Sequence, residues 1–101
     1  MAVMSAFQFQ VMPGKGEEFQ AVLADGIGIA MKNGAPSSRV WQVTVGGPTT
    51  GTVVVTTEYE SMAAYGAFVD KVAADQDWQA LTGRMSTLAV VSVSVAQEPA
   101  G

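Results

Sequence analysis

The sequence predicts an α+β domain: one four-stranded antiparallel sheet with its helices on one face. Three observations predict it. Four segments alternate their side chains with the two-residue period of a strand. Two segments place apolar residues at the i, i+3, i+4 spacing of a helix. Glycine, proline and capping residues divide these segments in the order β-α-β-β-α-β.

The first strand is expected over residues 2–12, with Val3, Phe7, Phe9 and Val11 on one side and Met4, Ala6, Gln8 and Gln10 on the other. Pro13-Gly14 ends it. A helix follows over residues 16–33, its stripe made by Phe19, Val22, Leu23, Ile27, Ala30 and Met31. Glu17 and Glu18 sit in its first turn, where carboxylates complement the helix dipole. Asn33-Gly34 and then Pro36 stop it. Gly26 and Gly28 each weaken a helix interior by roughly 1 kcal/mol relative to Ala, so either a neighbouring backbone comes close or the helix is irregular there.

A second strand over residues 38–46 opposes Trp41, Val43 and Val45 to Val40, Gln42 and Thr44. Gly47-Pro48-Thr49-Thr50-Gly51 makes a hairpin loop, and residues 52–59, dense in Val and Thr, make the third strand. Ser61 caps a second helix with Tyr65, Phe68, Val69 and Val72 inward. Asp75 caps a short third helical segment carrying Trp78 and Leu81. The last strand covers residues 87–95, with Val91, Val93 and Val95 facing away from Leu88, Val90, Ser92 and Ser94. The order is the split βαβ, ferredoxin-like arrangement. Residues 1–97 form the one domain expected of a chain this short, and residues 98–101 a frayed tail.

Apolar residues make up 49% of the chain and charged residues only 14%. A small monomer has too much surface to hide so many apolar groups. Helices cover one face of the sheet, yet the other carries Met4, Val54, Leu88 and Val90. A second copy is the simplest cover, so a homodimer is expected, with two sheets face to face forming a barrel.

Composition also excludes functions. The five basic residues, Lys15, Lys32, Arg39, Lys71 and Arg84, are scattered in a chain of net charge −4. Nucleic acid and anionic membranes both need a concentrated basic patch. Without cysteine or histidine there is no thiol nucleophile, no His-dependent triad and no ordinary zinc or haem ligand set. No metal and no cofactor is expected. Asp75-x-Asp77 reads as a helix cap with a first-turn acid. No run is long enough to span a bilayer, and the first residues lack a signal-peptide pattern, so the expected location is the cytoplasm.

Phe9-Gln10-Val11-Met12-Pro13-Gly14-Lys15-Gly16-Glu17-Glu18-Phe19 resembles the first strand and helix start of the dimeric α/β-barrel superfamily, which includes antibiotic-biosynthesis-monooxygenase-like and NIPSNAP-like domains. Glu58-Tyr59-Glu60-Ser61-Met62-Ala63-Ala64-Tyr65 is similar to their third-strand exit and helix cap. Asp75-Gln76-Asp77-Trp78-Gln79-Ala80-Leu81 resembles the helix before their last strand and favours the NIPSNAP-like branch. The resemblance implies a dimeric barrel. It spans cofactor-independent oxygenases of aromatic polyketides, isomerases, regulators and haem-degrading enzymes. The last use a histidine ligand that this chain lacks.

Candidate site residues follow from side-chain chemistry. Glu58 is the best carboxylate for a base, as a carboxylate enclosed in an apolar barrel could take a proton; a solvated strand end is the plainer reading. Tyr59 is a candidate acid or donor, Tyr65 a second, and both are otherwise core aromatics. Trp41 can wall a ligand cavity or fill an interface. Gln8, Gln42, Thr56 and Ser92 supply neutral hydrogen bonds on the sheet, to a ligand or across a dimer. The cavity is expected between sheet and helices or along the open sheet face, as strand register decides.

Two functions are therefore expected as alternatives. One is a dimeric barrel binding a small apolar or aromatic molecule, with cofactor-independent oxidation or isomerisation of a polyketide-like substrate. The other is a non-enzymatic binding or assembly module whose core is filled by its own side chains.

Overall fold

A computed structural model describes residues 2–47 and 51–99. The chain runs β1 (Val3–Val11), α1 (Gly16–Lys32), β2 (Ser38–Gln42), β3 (Val53–Tyr59), α2 (Met62–Ala73), α3 (Gln76–Met85) and β4 (Ala89–Gln97). The sheet order is β2-β3-β1-β4, and every neighbouring pair is antiparallel. β3 and β1 thus lie at the centre, and β2 and β4 form the edges.

Register fixes the faces. Val3, Ser5, Phe7, Phe9 and Val11 of β1 share a face with Val53, Val55, Thr57 and Tyr59 of β3. The helices cover this face in two apolar clusters. Phe19, Val22 and Leu23 of α1 meet Phe9, Val53 and Val55, with Leu81 and Met85 of α3. Phe68 and Val72 of α2 meet Val3 and Tyr59, with Trp78 packed against them.

Three element bounds differ from expectation, each for a local reason. β2 stops at Gln42, because the chain bends after Val43 and leaves Val45 92% exposed. Residues 48–50 of the hairpin loop lie outside the described residues. The third helical segment is a full ten-residue helix. Its closing turn takes up the Thr87 and Leu88 amides, which donate to the Arg84 and Met85 carbonyls. β4 therefore begins at Ala89, and Leu88 is buried in the core instead of standing on the open face. At the other end β4 runs to Gln97, and the Glu98 amide donates to the Ala2 carbonyl at 3.0 Å.

The helix caps follow the sequence. Ser61 accepts from the Ala64 amide at 3.1 Å and Asp75 from the Asp77 amide at 2.8 Å. α1 is continuous through both interior glycines. A Cβ at Gly26 would stand 3.3 Å from Leu81 Cδ2, so glycine lets α1 and α3 approach closely; Gly28 has no such neighbour.

Asp75 also joins two helices. Its carboxylate accepts from Asn33 Nδ2 at 2.9 Å and pairs with Lys32 Nζ at 3.1 Å, which also reaches Asp77 at 3.3 Å. The Asn33 and Lys32 contacts hold the Asp75 pKa at about 2, below the ordinary 3.8. A depressed carboxylate stabilises the fold fully above its unfolded pKa and ceases to do so as pH falls through its folded one. The thermal midpoint is expected to drop between about pH 4 and pH 2. Asp75→Asn keeps the capping oxygen and should flatten that part of the pH profile. An unchanged acid slope in the variant would disprove the assignment.

Candidate functional site

The helices cover β3 and β1 but stop short of β4. Val91 and Val93 face the helix side of the sheet, yet both remain exposed. A cavity of about 770 Å³ lies in the space left between sheet and helices. Its floor is Phe7, Phe9 and Val55, its walls include Val69 and Val72 of α2 with Trp78 and Leu81 of α3, and Val91 and Val93 line its β4 side. Among the described residues, no charged side chain lines it. Small-molecule sites commonly have volumes of roughly 300–1,000 Å³, apolar walls and few polar groups.

The polar groups of the floor form a row. Ser38 of β2 stands opposite Thr57 of β3, and Thr57 stands opposite Ser5 of β1. Ser38 Oγ and Thr57 Oγ1 are 2.7 Å apart and hydrogen-bonded. Ser5, next in that row, is only 1% exposed and does not line the cavity. The Tyr59 ring packs edge-on to Tyr65 at 5.2 Å between centroids and against Phe68 at 5.6 Å. Burial pushes the Tyr59 phenol above its ordinary 10.0, and Tyr65 adds to the rise, while the Ser5 hydrogen bond opposes it. Tyr59 is therefore a neutral O–H at physiological pH. Among the described residues, no group of three or more His, Cys, Asp or Glu side chains is placed to hold a metal ion.

The residues singled out in sequence divide between the two faces. Tyr59 and Tyr65 line the cavity. Gln8, Trp41, Thr56 and Ser92 share the open face: Gln8 stands opposite both Val54 and Ser92, and Trp41 opposite Val54. The Trp41 indole N–H donates to Thr56 Oγ1 at 3.0 Å, and the Arg39 guanidinium lies 5.4 Å from the Trp41 ring centroid. Glu58 is exposed opposite Met4 on the same open face. Gln42, opposite Val53, is exposed at the end of β2 and does not line the cavity. The cavity thus lies on the helix side, and of the open-face strand residues only Val90, at the start of edge strand β4, reaches it among the described residues. Ser38 and Thr57 are the floor residues that sequence reasoning passed over. Their signal was parity: each is a hydroxyl on a face otherwise set aside for large apolar side chains.

The fold and this cavity define a ferredoxin-like α+β domain with an apolar chamber edged by hydroxyl groups. A family profile described as NIPSNAP matches residues 6–96, and the chain belongs to the NIPSNAP family. Among solved structures it is similar to a NIPSNAP domain protein from Burkholderia xenovorans, at 24% identity over 97% of this chain and 95% of that one, with a TM-score of 0.75. A NIPSNAP family protein from Agrobacterium tumefaciens strain C58 is 21% identical, over 96% and 85% of the two chains, with a TM-score of 0.77. SnoaB, a cofactor-independent oxygenase from Streptomyces nogalater, is 12% identical over 99% and 95%, with a TM-score of 0.74. Identities this low speak to the fold alone. No curated protein matches the chain. Among the described residues, no helix is long and apolar enough to cross a membrane.

Proposed function

We propose that this NIPSNAP-family chain is a homodimer that binds a small, flat, largely apolar molecule between its sheet and helices. The observation that carries the reading is the 770 Å³ cavity with apolar walls and a hydroxyl-bearing floor. An assembly module with a self-filled core would not leave such a space accessible, so the cavity favours the binding reading over that alternative.

The chemistry that suits the cavity is conversion of an aromatic ketone without a cofactor. Tyr59 and Tyr65 supply neutral donors for an oxygen on which charge develops. The apolar walls fix the ring system beside them. With no carboxylate lining the cavity and Glu58 on the other face, the proton leaves to water at the open side near β4. Only a substrate whose carbanion is widely delocalised suits such a site; dioxygen then reacts with that carbanion. Oxygen uptake measured across a panel of polycyclic aromatic ketones tests the reading. The expected result is turnover with at least one of them, lost in Tyr59→Phe. No uptake across the panel by a folded protein would leave a binding function without catalysis.

A further inference from the structure

We propose that Gly26 of α1 and Leu81 of α3 form the waist of the cavity, and that Gly26 keeps this waist open for a ligand long enough to occupy both ends. The proposal rests on the reading of the cavity as a ligand site and names what sets the length of ligand it admits.

The cavity joins two regions of the core. Leu23 of α1 and Leu81 and Met85 of α3 belong to the cluster around Phe9 and Phe19. Ala30 of α1 and Trp78 of α3 pack with the cluster around Tyr59 and Phe68. Residues of both clusters line the one cavity. Its strand floor runs from Phe9, opposite Val53, to Tyr59, opposite Val3. Val3 and Phe9 are six residues apart along β1, a rise of roughly 20 Å. Gly26 stands about one helical turn from both Leu23 and Ala30, and Leu81 about one turn from both Trp78 and Met85. Both helices therefore pass from one cluster to the other at this pair.

The backbone does not call for glycine at this position. Gly26 lies inside α1 and is not among the glycines with positive φ. An interior glycine weakens a helix relative to alanine, so its use here lies in the side chain it leaves out. A Cβ at Gly26 would stand 3.3 Å from Leu81 Cδ2 and 3.6 Å from Leu81 Cδ1, and the first is tighter than ordinary van der Waals contact. Gly26 is also the one glycine that lines the cavity among the described residues. With a Cβ there, Leu81 has to yield. Its other neighbours are close-packed core residues, and the cavity is its free side. Gly26→Ala would therefore push Leu81 into the passage between the two ends. Gly28, two residues on, meets nothing within 4 Å and does not line the cavity.

Two ketones that differ by one fused ring test this: 2-acetylnaphthalene and 2-acetylanthracene, titrated by calorimetry or tryptophan fluorescence. The native protein is expected to bind the longer ketone roughly tenfold more tightly, because the third ring buries further apolar surface. Gly26→Ala should remove that advantage, a change of roughly tenfold in the ratio, as one carbon in an apolar pocket commonly gives. It should leave 2-acetylnaphthalene near its native affinity. Gly28→Ala should keep the native ratio and raise the thermal midpoint by a few degrees. Adding Leu81→Val to Gly26→Ala conserves the side-chain volume and should restore the ratio. Equal binding of the two ketones by the native protein would overturn the proposal, and that comparison needs no variant. An unchanged ratio in folded Gly26→Ala, or the same loss in Gly28→Ala, would also overturn it. So would an equal weakening of both ketones in Gly26→Ala, which marks a merely structural contact between α1 and α3. Each of these results leaves the cavity a ligand site. Binding of neither ketone would remove that reading as well.

Discussion

Phe19→Ala is expected to lower the unfolding free energy by about 3–5 kcal/mol, the usual loss for removing a buried phenylalanine. Phe19 is 1% exposed, in the first turns of α1. Its ring meets Phe9 at 5.3 Å with a 63° angle between planes, a geometry that adds attraction beyond area alone. Domains of this size have only about 5–15 kcal/mol in all. At roughly 4–8 °C per kcal/mol, the thermal midpoint should fall by at least ~12 °C. Phe9 is also part of the cavity floor, so the substitution removes the backing from a wall of the site. Thermal unfolding at one fixed protein concentration measures the effect, since the proposed dimerisation would make the midpoint concentration-dependent. A loss below about 1 kcal/mol would mean that α1 is not seated on the sheet at this residue.

The fold was legible because its strands alternate cleanly and its helices carry caps. Val3, Phe7 and Phe9 mark the inner face of β1 without help from register, and Ser61 and Asp75 mark two helix starts. Legibility failed where a residue's amide was claimed by the preceding helix. Leu88 fits the alternation of β4, but its N–H closes the last turn of α3, and its side chain follows that turn into the core. The site was harder for a physical reason. Neighbouring residues in a strand point to opposite faces, so Glu58 and Tyr59 cannot serve one chamber. Polarity was sought on the outward face, where Gln8, Thr56 and Ser92 stand. The sheet hydroxyls that edge the cavity are Ser38 and Thr57 on the inward face, where they look like gaps in an apolar pattern. Such gaps are where a core departs from its own packing rule, and functional sites are found at these departures.

Val54→Asp is expected to convert the proposed homodimer to a monomer. Val54 stands at mid-strand on the open face, between Gln8 of β1 and Trp41 of β2. Around it are Met4, Ala6 and Val90, with no helix above them. If two such sheets meet about a two-fold axis, the substitution enters the interface twice. Each buried, unpaired carboxylate costs several kcal/mol, so the dissociation constant should rise by at least roughly a thousandfold. Sedimentation at micromolar concentration should find the native protein at twice the 10.5 kDa chain mass and the variant at one chain. Val54→Thr, nearly the same shape and uncharged, should remain a dimer. The same variant separates assembly from ligand binding. The strand residues Phe7, Phe9, Val55, Thr57 and Tyr59 that line the cavity lie on the face of the sheet away from Val54. The folded monomer should therefore bind 2-acetylnaphthalene within a few-fold of the native protein. A native protein that sediments as a monomer would refute the open face as a self-association surface and leave the cavity argument standing. Loss of ligand binding on monomerisation would instead mean that the partner copy holds the chamber in shape.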